Sequence, residues 1–276
     1  MKPRPEAVRG GTRAITSLQN ERVKLIRSLN MRKSRRETGL FVAEGASVLV
    51  AARDAGWQPA ILVLLAGSAT AGVARELLAW AHTAGAECLE VSHAVLGKLA
   101  AKDNPQTMLA VFEQRWQSLP APPAAGSDAL WVVLEAVRDP GNLGTIIRTV
   151  DAVGASGVVL IGAGVDPYAR EAVRATMGSV FSVPLVRAGQ QDGLNWLARW
   201  PGDVVGTRLD ARDDFRATAY RPPTLLLMGS EGPGLSADLT AVCSRLVRIP
   251  MAGRLDSLNL AVATALMLYE MRKKQL

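Results

Sequence analysis

The stretch IPMAGRLDSLNL, residues 249–260, decides how the chain folds. RLVRIP before it reads as a short strand ending at Pro250, and LNLAVATALMLYEMRKK after it reads as a helix apolar on nearly every side. A helix apolar all round is expected to be buried. Its first turn nevertheless carries Ser257 and Asn259, and polar side chains at the mouth of a buried helix need partners, because unpaired burial is costly. Two readings are open here. Ser257 is an N-cap whose hydroxyl accepts an amide hydrogen, or the helix start and its glycine-containing loop form one wall of a ligand site.

The same strand–loop–helix pattern recurs upstream. WVVLEAV (131–137) reads as a buried strand, RDPG as a turn, and NLGTIIRTVDAVGA as a helix with Asn142 placed as its N-cap. Leu143, Ile146, Ile147 and Val150 form its core stripe, and Arg148 lies off it. GVVLIG (157–162) is the next strand, PYAREAVRATMG a helix, SVFSVPLV a strand, LNWLARW a helix and DVVGTRLD a strand. TLLLMG (224–229) runs into SEGPG, and LSADLTAVC follows as a helix. Apolar strands alternating with helices predict a mostly parallel sheet covered on both faces, with ligands beyond the carboxyl ends of the strands.

The chain has 276 residues, which points to about two domains of ~100–200 residues each. QSLPAPPAAGSDA, residues 117–129, is rich in Pro and Ala without apolar periodicity and reads as a linker. The expected division is therefore an N-terminal unit at 1–116, this linker, and a C-terminal unit at 130–276. In the first unit LFVAEG, AILVLLAG, ECLEVS and TMLAVFEQ read as strands between helices, giving a small α/β domain. Residues 1–13 read as disordered, and NERVKLIRSLNMRKSRR, 20–36, as one basic amphipathic helix.

The net charge of +7 is uneven: residues 1–36 hold eleven Lys or Arg against two Glu, a balance of +9, so the remaining 240 residues carry −2. A basic arm on a near-neutral body points to a polyanion, most simply nucleic acid, against the plainer reading of a solubilising tail. No apolar run reaches the ~18–20 residues of a membrane span, and the N-terminus lacks a signal-peptide core. Two Cys and two His, Cys88, Cys243, His82 and His93, argue against a disulfide framework, a metal cluster or a His-based mechanism. A cytoplasmic, reduced setting is expected.

Three loops share a position: RDPGNLGTIIR, GSEGPGLS and IPMAGRLDSLN each follow an apolar strand and open a helix. All are rich in Gly or Pro, and Gly lets backbone approach a ligand closely. If the strands are neighbours, one pocket holds Asn142, Arg148, Glu231, Ser257 and Asn259. Each residue has a plainer reading, as cap, solvated charge or turn residue. No P-loop is present, and no G-x-G-x-x-G follows a strand.

These residues resemble the SpoU family of RNA 2′-O-ribose methyltransferases, within the knotted SPOUT superfamily. Its motifs match Asn142 and Arg148 in NLGTIIR, then GSEGPGL at 229–235, then IPMAGRLDSLN, in family order over the whole second unit. The mild departure is Arg254-Leu255, where the family often has small residues. The first unit is similar, over a shorter pattern, to the L30e-like substrate-binding module of ribosomal RNA methylases.

The resemblance implies an α/β fold, a parallel-sheet SPOUT domain with a deep trefoil knot, and a homodimer with the active site at its interface. It implies S-adenosylmethionine held by backbone at Gly229, Ile249 and Leu258, no metal, and a catalytic set of Arg148, Asn142, Glu231, Ser257 and Asn259. Ribosomal RNA is the expected substrate. Transfer RNA as substrate, and an RNA-binding protein without catalysis, are the alternatives. The family's catalytic residue, described as a base, corresponds to Arg148. A guanidinium stays protonated in proteins, so the expectation here is that Arg148 pairs with an RNA phosphate and steadies developing alkoxide charge.

Overall fold

The computed structural model describes residues 11–100 and 106–276. Its contacts divide the chain into two compact units: one contains residues up to Gln114 together with Tyr168–Phe181, the other Arg115–Pro167 with Ser182–Leu276.

The first unit has a five-stranded mixed sheet, ordered β1 (Thr12–Ile15), β4 (Glu87–Val91), β3 (Ile61–Leu65), β5 (Met108–Glu113) and β2 (Leu40–Glu44). β1, β4 and β3 run parallel, whereas β5 is antiparallel to both β3 and β2. The disorder expected for residues 1–13 needs correcting at its end, since Thr12 and Arg13 pair with Cys88 and Leu89; residues 1–10 lie outside the described residues. The single helix expected over 20–36 is two, α1 (Glu21–Ser28) and α2 (Arg32–Thr38). The reason lies in Arg35. Its buried guanidinium Nη1 donates to the carbonyls of Leu29 (2.8 Å) and Asn30 (3.0 Å), satisfying chain that a continuous helix would have bonded itself. The helices α3 (Ala46–Asp54), α4 (Gly72–Thr83) and α5 (His93–Leu99) complete the layer structure.

In the second unit seven strands form a fully parallel sheet. Along the chain run β6 (Leu130–Glu135), α6 (Pro140–Ala152) and β7 (Gly157–Ile161). The next helix, α7 (Arg170–Ala175), and the tight turn Ser179–Phe181 belong to the first unit, where the Trp57 indole donates to the Phe181 carbonyl at 2.8 Å. The strand read over SVFSVPLV is therefore this turn followed by a short β8 (Leu185–Ala188). α8 (Gln190–Leu197), β9 (Val204–Thr207), β10 (Asp213–Asp214), β11 (Thr224–Met228), α9 (Ala237–Ala241), β12 (Arg245–Arg248) and α10 (Leu260–Arg272) follow.

The strand order is β10-β12-β9-β11-β6-β7-β8. From β6 the chain proceeds outward to β7 and β8, while from β11 it turns the other way to β12. Adjacent strands whose connections diverge leave a crevice at their carboxyl ends. All five residues of β11 are buried, as a strand covered on both faces requires. Leu225 and Leu227 pack in a cluster with Trp196 and Trp200. α10 packs on α6 and β11. Residues 117–129 are tied to this unit: the Trp196 indole donates to the Pro120 carbonyl (2.8 Å), and Arg272 pairs with Asp128 (2.7 Å).

The expectation that α10 is buried all round needs correction. Leu260, Ala261, Thr264, Met267 and Leu268 are buried, but Val262, Leu266 and Tyr269, spaced four and three apart, are 49%, 41% and 53% exposed. Within one chain, α6 and β11 cover only one side of an apolar helix. Because β11 is central, Leu226→Ala should cost about 2–5 kcal/mol through lost burial and an unfilled cavity. Denaturant unfolding of the full chain checks this; an unchanged midpoint would contradict the placement.

Candidate active site

Four neighbouring strands, β12, β9, β11 and β6, send their carboxyl-end loops to one place. The loop after β6 opens α6, whose N-cap is Asp139 rather than the expected Asn142. The Asp139 carboxylate accepts from the Asn142 N–H at 2.6 Å, and Pro140 occupies the first helical turn, where its missing N–H costs nothing. This corrects the capping assignment and frees the Asn142 side chain to face the loop after β11. At α10 the cap is Asn259, not Ser257: its Oδ1 accepts from the N–H groups of Ala261 (2.9 Å) and Val262 (3.3 Å). The exposed Ser257 hydroxyl instead donates to Asp256 at 3.2 Å.

The two asparagines and Glu231 form one directed chain of hydrogen bonds. Asn259 Nδ2 donates to Asn142 Oδ1 at 2.9 Å, and Asn142 Nδ2 donates to Glu231 Oε1 at 2.9 Å. The Arg138 N–H donates to Glu231 Oε2 at 3.3 Å. Both ends fix the direction. The helix terminus offers only donors, so Asn259 must turn its oxygen to it and its NH₂ away; an ionised carboxylate only accepts, so Asn142 must turn its NH₂ toward Glu231. Partial burial pushes the Glu231 carboxyl up, but hydrogen bonds from Asn142 and from the N–H groups of Glu231 and Arg138 outweigh it, and the Arg138 charge adds to them. The net shift is downward, so Glu231 is ionised at neutral pH.

Around this chain lies a polar cavity of about 550 Å³, lined by Arg138, Asp139, Asn142, Glu231 and Asn259. It adjoins a larger one of about 900 Å³, which shares Glu231 and Asn259. The larger cavity is walled by the loops at 229–235 and 249–259, with Gly229, Ile249, Ser257 and Leu258 on its surface. A Cβ at Gly229 would lie 2.0 Å from the Gly234 carbonyl carbon, so only glycine lets this loop fold back on itself. The Ser236 N–H donates to Glu135 at 2.8 Å and ties the same loop to the end of β6.

The structure thus brings Asn142, Glu231 and Asn259 into contact and sets Gly229, Ile249, Ser257 and Leu258 around the adjoining cavity. It does not bring Arg148 to either. Arg148 is exposed on α6 and lines neither cavity of its own chain. Sequence reading missed two groups. Arg138 and Asp139 read as part of the RDPG turn, although an Asp directly before Pro is itself a cap signal. Thr207, Arg208, Leu209 and Asp210 also line the larger cavity, because β9 lies between β12 and β11. Nothing in the local pattern marks that strand order.

A parallel α/β sheet with a polar crevice at diverging strand ends is a ligand-binding architecture. Residues 129–269 match the SpoU rRNA Methylase family, and residues 20–110 match the MRM3-like substrate binding domain. The chain belongs to the SpoU rRNA methylase family. An AdoMet-bound rRNA methyltransferase from Sinorhizobium meliloti is similar at 44% identity and a TM-score of 0.88, over 97% of this chain and 100% of that one. The 23S rRNA (uridine(2479)-2'-O)-methyltransferase of Streptomyces viridochromogenes is 34% identical over 253 residues, 88% of this chain and 85% of that protein. The 23S rRNA (guanosine(2553)-2'-O)-methyltransferase RlmP of Bacillus subtilis (strain 168) is 29% identical over 265 residues, 94% and 98% of the two chains.

Two outcomes follow from the hydrogen-bonded chain. Asn259→Asp keeps the helix cap but sets a carboxylate oxygen against Asn142 Oδ1, so the link between the two loops is lost and cofactor-dependent activity should fall; an unaffected rate would show that the contact is idle. For Glu231, a carboxyl with a depressed folded pKa stabilises the fold above its unfolded value of about 4.3, and that stabilisation is lost as pH falls through the folded value. The stability gap between wild type and Glu231→Gln should therefore be open at pH 7 and close in acid. A gap independent of pH would contradict the assignment.

Proposed function

We propose that the protein transfers a methyl group from S-adenosylmethionine to a ribose 2′-hydroxyl of ribosomal RNA. The observation that carries this reading is the Asn259–Asn142–Glu231 chain beside a cavity walled by 229–235 and 249–259, in a chain of the SpoU rRNA methylase family. The larger cavity suits the cofactor: its volume is in the range of small-molecule sites, and it combines apolar walls at Met228, Leu235, Ile249 and Leu258 with backbone brought close at Gly229. Backbone at Gly229, Ile249 and Leu258 would hold it. When bound, this cofactor supplies an electrophilic methyl on a sulfonium, so the protein contributes alignment and electrostatics.

The attacking hydroxyl must shed its proton as the oxygen–methyl bond forms. Both histidines, His82 and His93, lie in the first unit. In the proposed mechanism the proton leaves to water or to an RNA phosphate, and Arg148 stabilises the developing alkoxide. Asn142, Glu231, Ser257 and Asn259 position the ribose and the groups around it. Since Arg148 lines neither cavity of its own chain, its role requires a second copy. The uncovered α10 face of Val262, Leu266 and Tyr269, with Leu255 75% exposed on the loop before it, supports a homodimer.

The finer assignments are part of the same proposal. The first unit, with the basic helices α1 and α2, is an L30e-like RNA-binding module spanning 1–116; residues 117–129 join it to the methyltransferase domain at 130–276. The chain through β12 and α10 closes a deep trefoil knot; β12 inserted between β9 and β10, with α10 returning onto α6 and β11, supports that path. No helix among the described residues is long and apolar enough to cross a membrane, and a cytoplasmic site of action is proposed.

Tritium from labelled S-adenosylmethionine should enter ribosomal RNA transcripts, and nucleoside analysis should place it on the ribose; label on a base, or none, would refute the reading. Arg148→Lys keeps the charge but loses the planar fork, and should lower kcat on the order of 100-fold. Near-wild-type turnover would remove Arg148 from the mechanism. Leu266→Asp should convert a sedimenting dimer to a less active monomer, whereas a monomeric wild type would defeat the dimer.

A further inference from the structure

We propose that Arg138 grips the backbone phosphate of the target nucleotide and so sets the ribose against the cofactor cavity; this rests on the ribose methylation proposed above. In the polar cavity every other side chain already makes at least one hydrogen bond. Both amide ends of Asn142 and of Asn259 are bonded, and each Glu231 oxygen accepts a hydrogen bond. One Asp139 oxygen caps α6. The Arg138 guanidinium is the exception. Only its backbone N–H is committed, and among the described residues its side chain makes no hydrogen bond or ion pair.

The backbone that carries Arg138 is fixed. Ala136 holds φ at +49°, a conformation that costs an L residue and persists only where the surroundings enforce it. Here they do. The Ala136 N–H donates to the Ile161 carbonyl at 3.2 Å, and the Val165 N–H donates to the Val137 carbonyl at 2.8 Å. Gly164 lies so close that an added Cβ would sit 3.0 Å from the Val137 oxygen. The strained turn thus gives Arg138 a rigid backbone base at the cavity wall, and its charge is near enough to act on Glu231.

The ligand class follows from where the positive charge sits. Among the described residues the cavity has two carboxylates, Asp139 and Glu231, and one cation, Arg138, so an anion can be held there only at the guanidinium. Its planar fork offers paired N–H donors to phosphate oxygens. Arg138 lines the polar cavity but not the larger one, which assigns it to the nucleotide rather than to the carboxylate of the cofactor.

The test compares wild type, Arg138→Ala and Arg138→Lys on an in-vitro transcript of 23S ribosomal RNA. Arg138→Ala keeps the backbone bond to Glu231, so its melting temperature should equal that of wild type. The RNA KM should rise roughly tenfold, kcat should fall with it because the ribose is no longer held in place, and S-adenosylmethionine affinity should be unchanged. The slope of log RNA affinity against log salt, measured by fluorescence anisotropy, should lose about 0.7, one single-strand phosphate. Arg138→Lys should restore most of the slope, since a point charge still binds phosphate. An unchanged slope and KM would overturn the proposal, as would weaker cofactor binding with RNA binding intact. Wild type that binds the transcript but transfers no methyl would instead refute the methyltransferase reading, while the salt slope still reports on Arg138.

Discussion

The candidate site is organised by a hydrogen-bonded chain that starts at the N-terminus of the last helix and ends on a carboxylate. The α10 amides donate to Asn259, Asn259 to Asn142, and Asn142 to Glu231. Asn259 caps α10, Asn142 lies in the first turn of α6 and Glu231 in the loop after β11, so the chain stitches together the ends of β12, β6 and β11. The positive end of a helix at its origin and an ionised carboxyl at its terminus polarise every bond the same way. A network of this kind tolerates no partial satisfaction: reversing one amide leaves donor facing donor. The two asparagines therefore act as rigid connectors whose orientation is set from outside the cavity.

The sheet makes that chain reachable. With β11 between β9 and β6, and β12 next to β9, four loops are presented side by side without a long insertion. Buried strands below and tight glycine turns above leave the loops little freedom, and Gly229, with no room for a Cβ, is the tightest point. The same economy leaves α10 half covered. One side packs on α6 and β11, and the other presents Val262, Leu266 and Tyr269 to solvent in a single chain. The second copy proposed above would cover that face.

Much of this was legible in the residues. Strand–helix alternation gives the α/β class, and the three glycine- or proline-rich loops after apolar strands mark where ligand chemistry gathers. Strand order was not legible, because parallel neighbours are set by crossover paths rather than local pattern. The loop at 207–210 was missed for that reason. The caps were misplaced by a few residues for a local reason: Asp139, Asn142, Ser257 and Asn259 are all good N-cap types, and only the turn geometry chooses among them. The break after α1 was hidden because Arg35 looks like one more surface charge until its guanidinium is seen buried against the carbonyls of Leu29 and Asn30. An apolar helix reads the same whether its second side meets its own core or another molecule.

The site's electrostatics separate two tasks. Glu231 is kept ionised by donors and anchors the amide chain, while Arg138 is the cation of its cavity among the described residues. The most direct measurement of the central claim is a double-mutant cycle on kcat/KM for methyl transfer, using Asn142→Ala, Asn259→Ala and the pair. If the two asparagines act as one connected unit, the double variant should be hardly worse than the worse single variant, a coupling on the order of 1–3 kcal/mol. Effects that simply add would mean that the loops meet without working together, and the account would be wrong.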